Sequence, residues 1–112
     1  MNFYDKVHEM VRAFKDTPEF REYVELKNKL KEEKDAYDRL KDFKERQKNY
    51  QMEYIDGKEQ SKEKLEEMQN LYSIVIQNET SRKLLENEMK INVMLADMQK
   101  IIGDALKDII DF

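Results

Sequence analysis

Cysteine is absent from the 112 residues, which excludes disulfides, cysteine-ligated zinc and cysteine-held iron–sulfur clusters and fits a reducing compartment. Histidine occurs once, at His8, with Asp5 three residues before it on the same helical face. A di-iron bundle needs two helices each bearing Glu-x-x-His plus further carboxylates, and this chain offers one approximate copy, so His8 reads as a solvated or edge-packed side chain. The same shortage counts against Ser/His/Asp and Cys/His catalysis, whose base is nearly always a histidine with an orienting partner. Glycine occurs twice and proline once, too few to supply the turns of a sheet-rich fold of this length. Gly57 and Gly103 stand alone, so there is no Gly-rich phosphate loop. No window approaches a membrane span, and Asp5 and His8 interrupt the stretch where a signal peptide would be apolar. A cytoplasmic location is expected.

What is present is charge. Charged residues make up 41% and apolar residues 39%, and the mean hydropathy is -0.98. Lys and Arg (21) nearly balance Asp and Glu (25), and large apolar residues recur at helical spacing, which predicts a folded chain rather than a disordered one. The net charge of -4 and pI of about 5.2 provide no general attraction for phosphate backbones or anionic lipid.

The periodicity predicts an all-α fold of four or five antiparallel amphipathic helices in one domain spanning residues 1–112. Phe3, Val7, Met10 and Phe14, widened by Tyr4 and Val11, form the apolar face of a first helix that stops near Asp16. Thr17 is placed as the N-cap of a second, with Pro18 at its first position. That helix runs to about Glu33 and buries Phe20, Tyr23, Val24, Leu26 and Leu30. Asp35 is a candidate cap for a third, but no strong breaker separates the two segments, so one bent helix is the alternative. Ala36, Leu40, Phe43, Gln47, Tyr50 and Tyr54 keep a four-three rhythm up to the Asp56–Gly57 turn. Ser61 is the expected cap of a fourth helix carrying Leu65, Met68, Leu71, Tyr72 and Val75, and Asn78–Ser81 is the last expected break. From Leu84 to Ile110 a final helix of roughly 40 Å is predicted. Its seam is Ile91, Leu95, Met98, Ile102, Ala105 and Ile109, widened by Leu84, Met94, Ile101, Leu106 and Ile110.

So wide an apolar face exceeds what a small monomer covers, which predicts a homodimer or higher assembly through Ile91, Met94, Leu95, Met98, Ile101, Ile102 and Leu106. Lys41, Lys44 and Lys48, with Arg39, Arg46 and Tyr50 nearby, are the candidate RNA or partner surface, although Asp38, Asp42 and Glu45 are spaced to pair with them. Asp97, Asp104, Asp108 and Asp111 form an acidic stripe, read as a solubilising face or a dock for a basic partner. Carboxylate pairs such as Glu32–Glu33 and Glu66–Glu67 are too common in so charged a chain to mark general acid and base chemistry. No catalytic, cofactor or metal site is expected.

The order of these segments resembles the YlbF/YmcA family of small bacterial helical proteins, most closely its YheA-like branch. The resemblance is carried by Asn2-Phe3-Tyr4-Asp5, by Thr17-Pro18-Glu19-Phe20 with Tyr23, and by Phe43 with Gln47. It continues through Gly57-Lys58, Asn78, Met94-Leu95, Met98-Gln99 and Ile101-Ile102. It implies a self-associating, all-helical protein of the bacterial cytosol. Some members are accessory factors in competence, biofilm formation and sporulation, linked to RNA processing. The cysteine-dependent iron–sulfur binding of regulatory relatives does not transfer to a chain without cysteine. These residues are packing and turn positions and carry no catalytic site. The leading functional expectation is a non-enzymatic oligomeric adaptor or scaffold, a regulatory accessory factor that binds another protein. The alternative is an RNA-associated accessory factor acting beside a ribonuclease, and an acid-dependent hydrolase ranks third.

Overall fold

The computed structural model describes residues 2–59 and 61–110, the last by its backbone alone. Among the described residues there are six helices and no strand: α1 (Phe3–Lys15), α2 (Pro18–Glu32), α3 (Lys34–Ile55), α4 (Lys62–Val75), α5 (Glu79–Ala105) and the single turn α6 (Lys107–Ile110). The all-α expectation holds, with a long helix near the C-terminus. Contacts cluster into two units, one built from α1, the start of α2 and the chain from Leu85 onward, the other from Glu25–Leu84.

Helix boundaries follow from side chains that satisfy the free amides of the first turn. Asn2 Oδ1 accepts from the Tyr4 amide at 2.6 Å and the Asp5 amide at 3.3 Å, a cap that the apolar pattern alone does not announce. Thr17 Oγ1 accepts from the Phe20 amide at 3.3 Å and donates to the Phe14 carbonyl at 2.8 Å. It therefore closes α1 and opens α2 at once, and Pro18 takes the first helical position where no amide is needed. Thr17→Ala is expected to cost about 1 kcal/mol, the usual value of a lost cap, measured by urea denaturation. An unchanged midpoint would show that the Pro18 backbone alone sets the corner.

The break between α2 and α3 is real. It lies at Glu33 (φ -98°, ψ 71°), which makes no side-chain cap bond, and Asp35 sits in the first turn of α3 instead of capping it. The Glu33 carboxylate is engaged elsewhere: its Oε1 accepts from Asn78 Nδ2 at 3.1 Å. The Asn78 Oδ1 accepts in turn from the Ser81 amide at 2.8 Å. One asparagine thus caps α5 and ties the α2–α3 joint to the α4–α5 joint, 45 residues along the chain. Hydrogen bonding from Thr80, then from Asn78, holds Glu33 below the usual carboxylate range.

The end of α3 uses Gly57, whose φ of +89° suits glycine alone among ordinary residues. Lys58 N–H reaches the Glu53 carbonyl at 3.0 Å and Gly57 N–H the Tyr54 carbonyl at 3.1 Å, the paired bonds of a Schellman stop. Ser61 Oγ then accepts from the Lys64 amide at 3.1 Å and starts α4.

The final segment departs from expectation at both ends. Glu79, Thr80 and Ser81 form the first turn of α5 rather than a break, because Asn78 supplies the cap. At the other end α5 stops at Ala105; Leu106 is a turn residue before α6, although its amide still bonds the Ile102 carbonyl at 3.0 Å. Asp111 and the side chain of Ile110 lie outside the described residues.

In the 25–84 unit the buried apolar residues are Leu30, Leu40, Phe43, Val75 and Leu84, joined by the buried hydroxyls of Thr80 and Ser81. In the other unit Ile91 (8% exposed) and Asn87 (3%) are buried. The α1–α2 corner is filled by aromatic rings: Phe14 meets Phe20 edge-on at 5.7 Å, and Phe20 lies 6.4 Å from Tyr23. Burial, reinforced by the charge of Glu88, raises the Tyr23 phenol above its ordinary value.

Candidate functional site

Two surfaces combine apolar side chains with a defined shape, one in each unit. The first is built by α1 and the C-terminal half of α5. Met10 from α1 and Met94, Met98, Ile101 and Ile102 from α5 line an open groove with Asp97 at its edge. The sequence grouped seven residues as one contact, and the structure separates them. Ile91 is spent on the chain's own core; Met94 and Met98 are half-buried; Leu95, Ile101, Ile102 and Leu106 are exposed, Ile101 at 69%. Ile109 is exposed as well. The reason is a gradient along α5: the face carrying Leu84 and Ile91 is covered within the chain, the cover thins at half-buried Met94 and Met98, and it is gone by Ile101. Helix α1 adds Phe3, Tyr4, Met10 and Val11 to the exposed apolar side chains and contains no buried residue of its own. Neither part of α1's contribution was assigned to an interface from periodicity, which identified an apolar face without showing that the chain leaves it uncovered.

The second surface lies on the α3–α4 hairpin. Pairs Glu53–Lys64, Tyr50–Glu67 and Phe43–Tyr72 run in opposite order along the two helices, so they are antiparallel. Arg46 is held by Asp42 at 3.1 Å, four residues before it, and by Glu67 across the hairpin. The Tyr50 hydroxyl donates to Glu67 at 3.0 Å, a bond that raises the phenol's pKa, and the Lys64 ammonium lies 5.2 Å from the centre of the Tyr50 ring. Hydrogen bonding and charge from Glu53 hold Lys64 firmly protonated. Next to this ladder is a cleft of about 210 Å³ lined by Gln47, Tyr50, Tyr54, Lys64, Leu65 and Met68.

These bonds bear on the lysine cluster. Lys41 and Lys48 are exposed on α3, Lys44 is half-buried, and Arg46 and Tyr50, which sequence spacing placed beside them as an RNA-binding set, are engaged in joining α3 to α4. Sequence spacing placed Asp42 as a partner for these bases, and its pair with Arg46 is present. Asp97 and Asp104 on α5 and Asp108 on α6 are exposed, and Asp104 pairs with Lys100 at 3.3 Å. His8 is exposed on α1. Among the described residues no group of three or more His, Asp or Glu side chains is arranged to hold a metal ion, and no helix is long and apolar enough to cross a membrane.

Over residues 3–107 the sequence matches a known family whose description reads "Control of competence regulator ComK, YlbF/YmcA". The chain belongs to this family. The chain is also similar to a UPF0342 protein of Symbiobacterium thermophilum, 34% identical over 92% of this chain and 92% of its own length. A UPF0342 protein of Clostridium tetani is 38% identical over 95% of this chain and 91% of its own, and one from Desulfitobacterium hafniense is 30% identical over 98% and 89%. No solved structure matches the chain. In this member of the YlbF/YmcA family Thr17-Pro18 makes a corner, Gly57 a helix stop, and Asn78 both caps α5 and bonds Glu33.

Proposed function

We propose that the chain is a non-catalytic, self-associating accessory protein of the cytoplasm that acts by binding another protein, in the manner of a regulatory adaptor. The observation that carries this reading is the uncovered apolar side of α1 and the C-terminal half of α5. Contiguous apolar area of this kind on a small chain marks an interface. The family description, control of a competence regulator, supports a regulatory role over an enzymatic one. Binding by helix faces also suits a surface of methionine and branched aliphatic side chains, which adapt to a partner's shape without fixed polar geometry.

Light scattering on the native protein is expected to give a mass at least twice that of the 13.7 kDa chain. Ile101→Glu should return it to the single-chain mass with helix content unchanged, because Ile101 is already exposed within the chain and only an intermolecular contact would bury the new charge. Crosslinking in the native cell, with Ile101→Glu as control, tests the adaptor half: recovery of the chain alone would count against it. The RNA-associated alternative rests on the exposed Lys41 and Lys48 and predicts salt-sensitive RNA binding by the purified protein. The commitment of Arg46 to two carboxylates weighs against it.

A further inference from the structure

We propose that self-association occurs by face-to-face pairing of two α1–α5 layers, with α1 of each copy lying over the C-terminal half of α5 of the other. This rests on the self-association reading above and adds to it the surfaces, their order and the charges that select it.

The argument starts from what flanks each apolar face. On α1 the face is Phe3, Val7, Met10 and Phe14, with Tyr4 and Val11 beside it. Helical spacing puts Lys6 along one edge, next to Phe3 and Met10, and His8 and Lys15 along the other, next to Tyr4 and Val11. Asp5, Glu9 and Asp16 fall on the far side of the cylinder. The apolar face of α1 is therefore edged by basic groups on both sides. On α5 the apolar residues Met94, Met98, Ile101 and Ile102 are edged by Asp97 and Asp104, spaced seven residues apart, and Asp108 follows on the short α6.

Within one chain, Met10 shares a groove with Met94, Met98, Ile101 and Ile102, so α1 approaches α5 at Met10. That approach leaves much of both apolar faces open: Phe3 is 71% exposed and Ile101 69%. A second copy, turned about a two-fold axis, covers both surfaces with one self-complementary contact. Two arrangements are available. With α1 over α1 of the second copy, Lys6 and Lys15 meet their own kind, and the aspartates of α5 do the same. With α1 over α5 of the second copy, the basic edges of one helix meet the acidic edge of the other. Like charges across an interface are the costlier arrangement, so the crossed order is selected. Lys6 already pairs with Glu9 at 3.2 Å, but that pair is exposed and gives little resistance to re-pairing across the contact.

The test uses two full-length variants, Lys6→Glu with Lys15→Glu, and Asp97→Lys with Asp108→Lys. All four positions are exposed, so both variants should keep native helix content. Each alone is expected to weaken the assembly by about tenfold or more, read by sedimentation equilibrium, because both contacts of its homodimer become like-charged. An equimolar mixture should recover the dimer as a heterodimer, since each chain's α1 then faces an α5 of opposite charge. Pairing of α1 with α5 inside one chain cannot produce that recovery, because mixing leaves each chain's own charges unchanged. The neutral variants Lys6→Gln with Lys15→Gln and Asp97→Asn with Asp108→Asn should weaken assembly less and recover only in part on mixing, because their heterodimer restores one of the two charged contacts. A mixture that stays as weakly associated as its components, with both folded, would overturn the crossed order while leaving self-association standing. So would single variants that assemble like the native chain. A native protein that is itself monomeric overturns self-association and this pairing together.

Discussion

Leu30→Ala is expected to lower the unfolding free energy by about 3 kcal/mol, within the usual range of 2–5 kcal/mol for truncating a buried leucine. Leu30 is 1% exposed, the most completely buried large side chain among the described residues, and it stands in the last turn of α2, just before the break at Glu33. A rigid joint next to the removed atoms limits how far the surroundings can collapse, which moves the cost away from the low end. Urea denaturation followed by circular dichroism measures it. A loss under about 1 kcal/mol would mean that this corner relaxes freely and that the core is looser than its burial implies.

Asn78→Ala should cost about 2–3 kcal/mol, more than an ordinary cap, because one side chain makes two unrelated bonds. Its Oδ1 satisfies the first turn of α5, and its Nδ2 satisfies the Glu33 carboxylate at the other joint. Asn78→Asp separates the two roles: the carboxylate still caps α5 but faces Glu33 with like charge. The aspartate variant should therefore recover stability as pH falls and either acid is neutralised, relative to the native chain. The native chain itself has the reverse dependence. Glu33 has a folded pKa below its unfolded value, so its contribution is present above the ordinary carboxylate range and is lost as pH falls through the depressed folded value. Glu33→Gln should flatten that part of the acid limb. If Asn78→Ala and Asn78→Asp respond to pH alike, the Glu33 bond does not contribute.

Much of this architecture is legible in the sequence. Helix type follows from the four-three recurrence of apolar residues and from the scarcity of glycine and proline, both local properties of the chain. The corner at Thr17-Pro18, the stop at Gly57 and the cap at Ser61 were readable for the same reason, since each bond closes within a few residues. Leu30, Leu40, Phe43, Val75 and Leu84 lay on their helices' apolar faces and are buried.

What the sequence could not supply were features that depend on residues distant along the chain. Glu33 looked like one more surface acid beside Glu32, and Asn78 like the start of a break; their bond, across 45 residues, joins the α2–α3 break to the start of α5 at Glu79. Thr80, Ser81 and Asn87 are buried although nothing in their polarity announces it, because the faces of α5 that carry Leu84 and Ile91 carry them too. The apolar seam of α5 is equally strong in its two halves as a pattern, but only tertiary structure distinguishes the half containing Ile91, covered within the chain, from the half containing Ile101, left open. Periodicity records which side of a helix avoids water. Which other helix covers that side, and where along its length the cover ends, is decided by packing between segments that the local pattern cannot place.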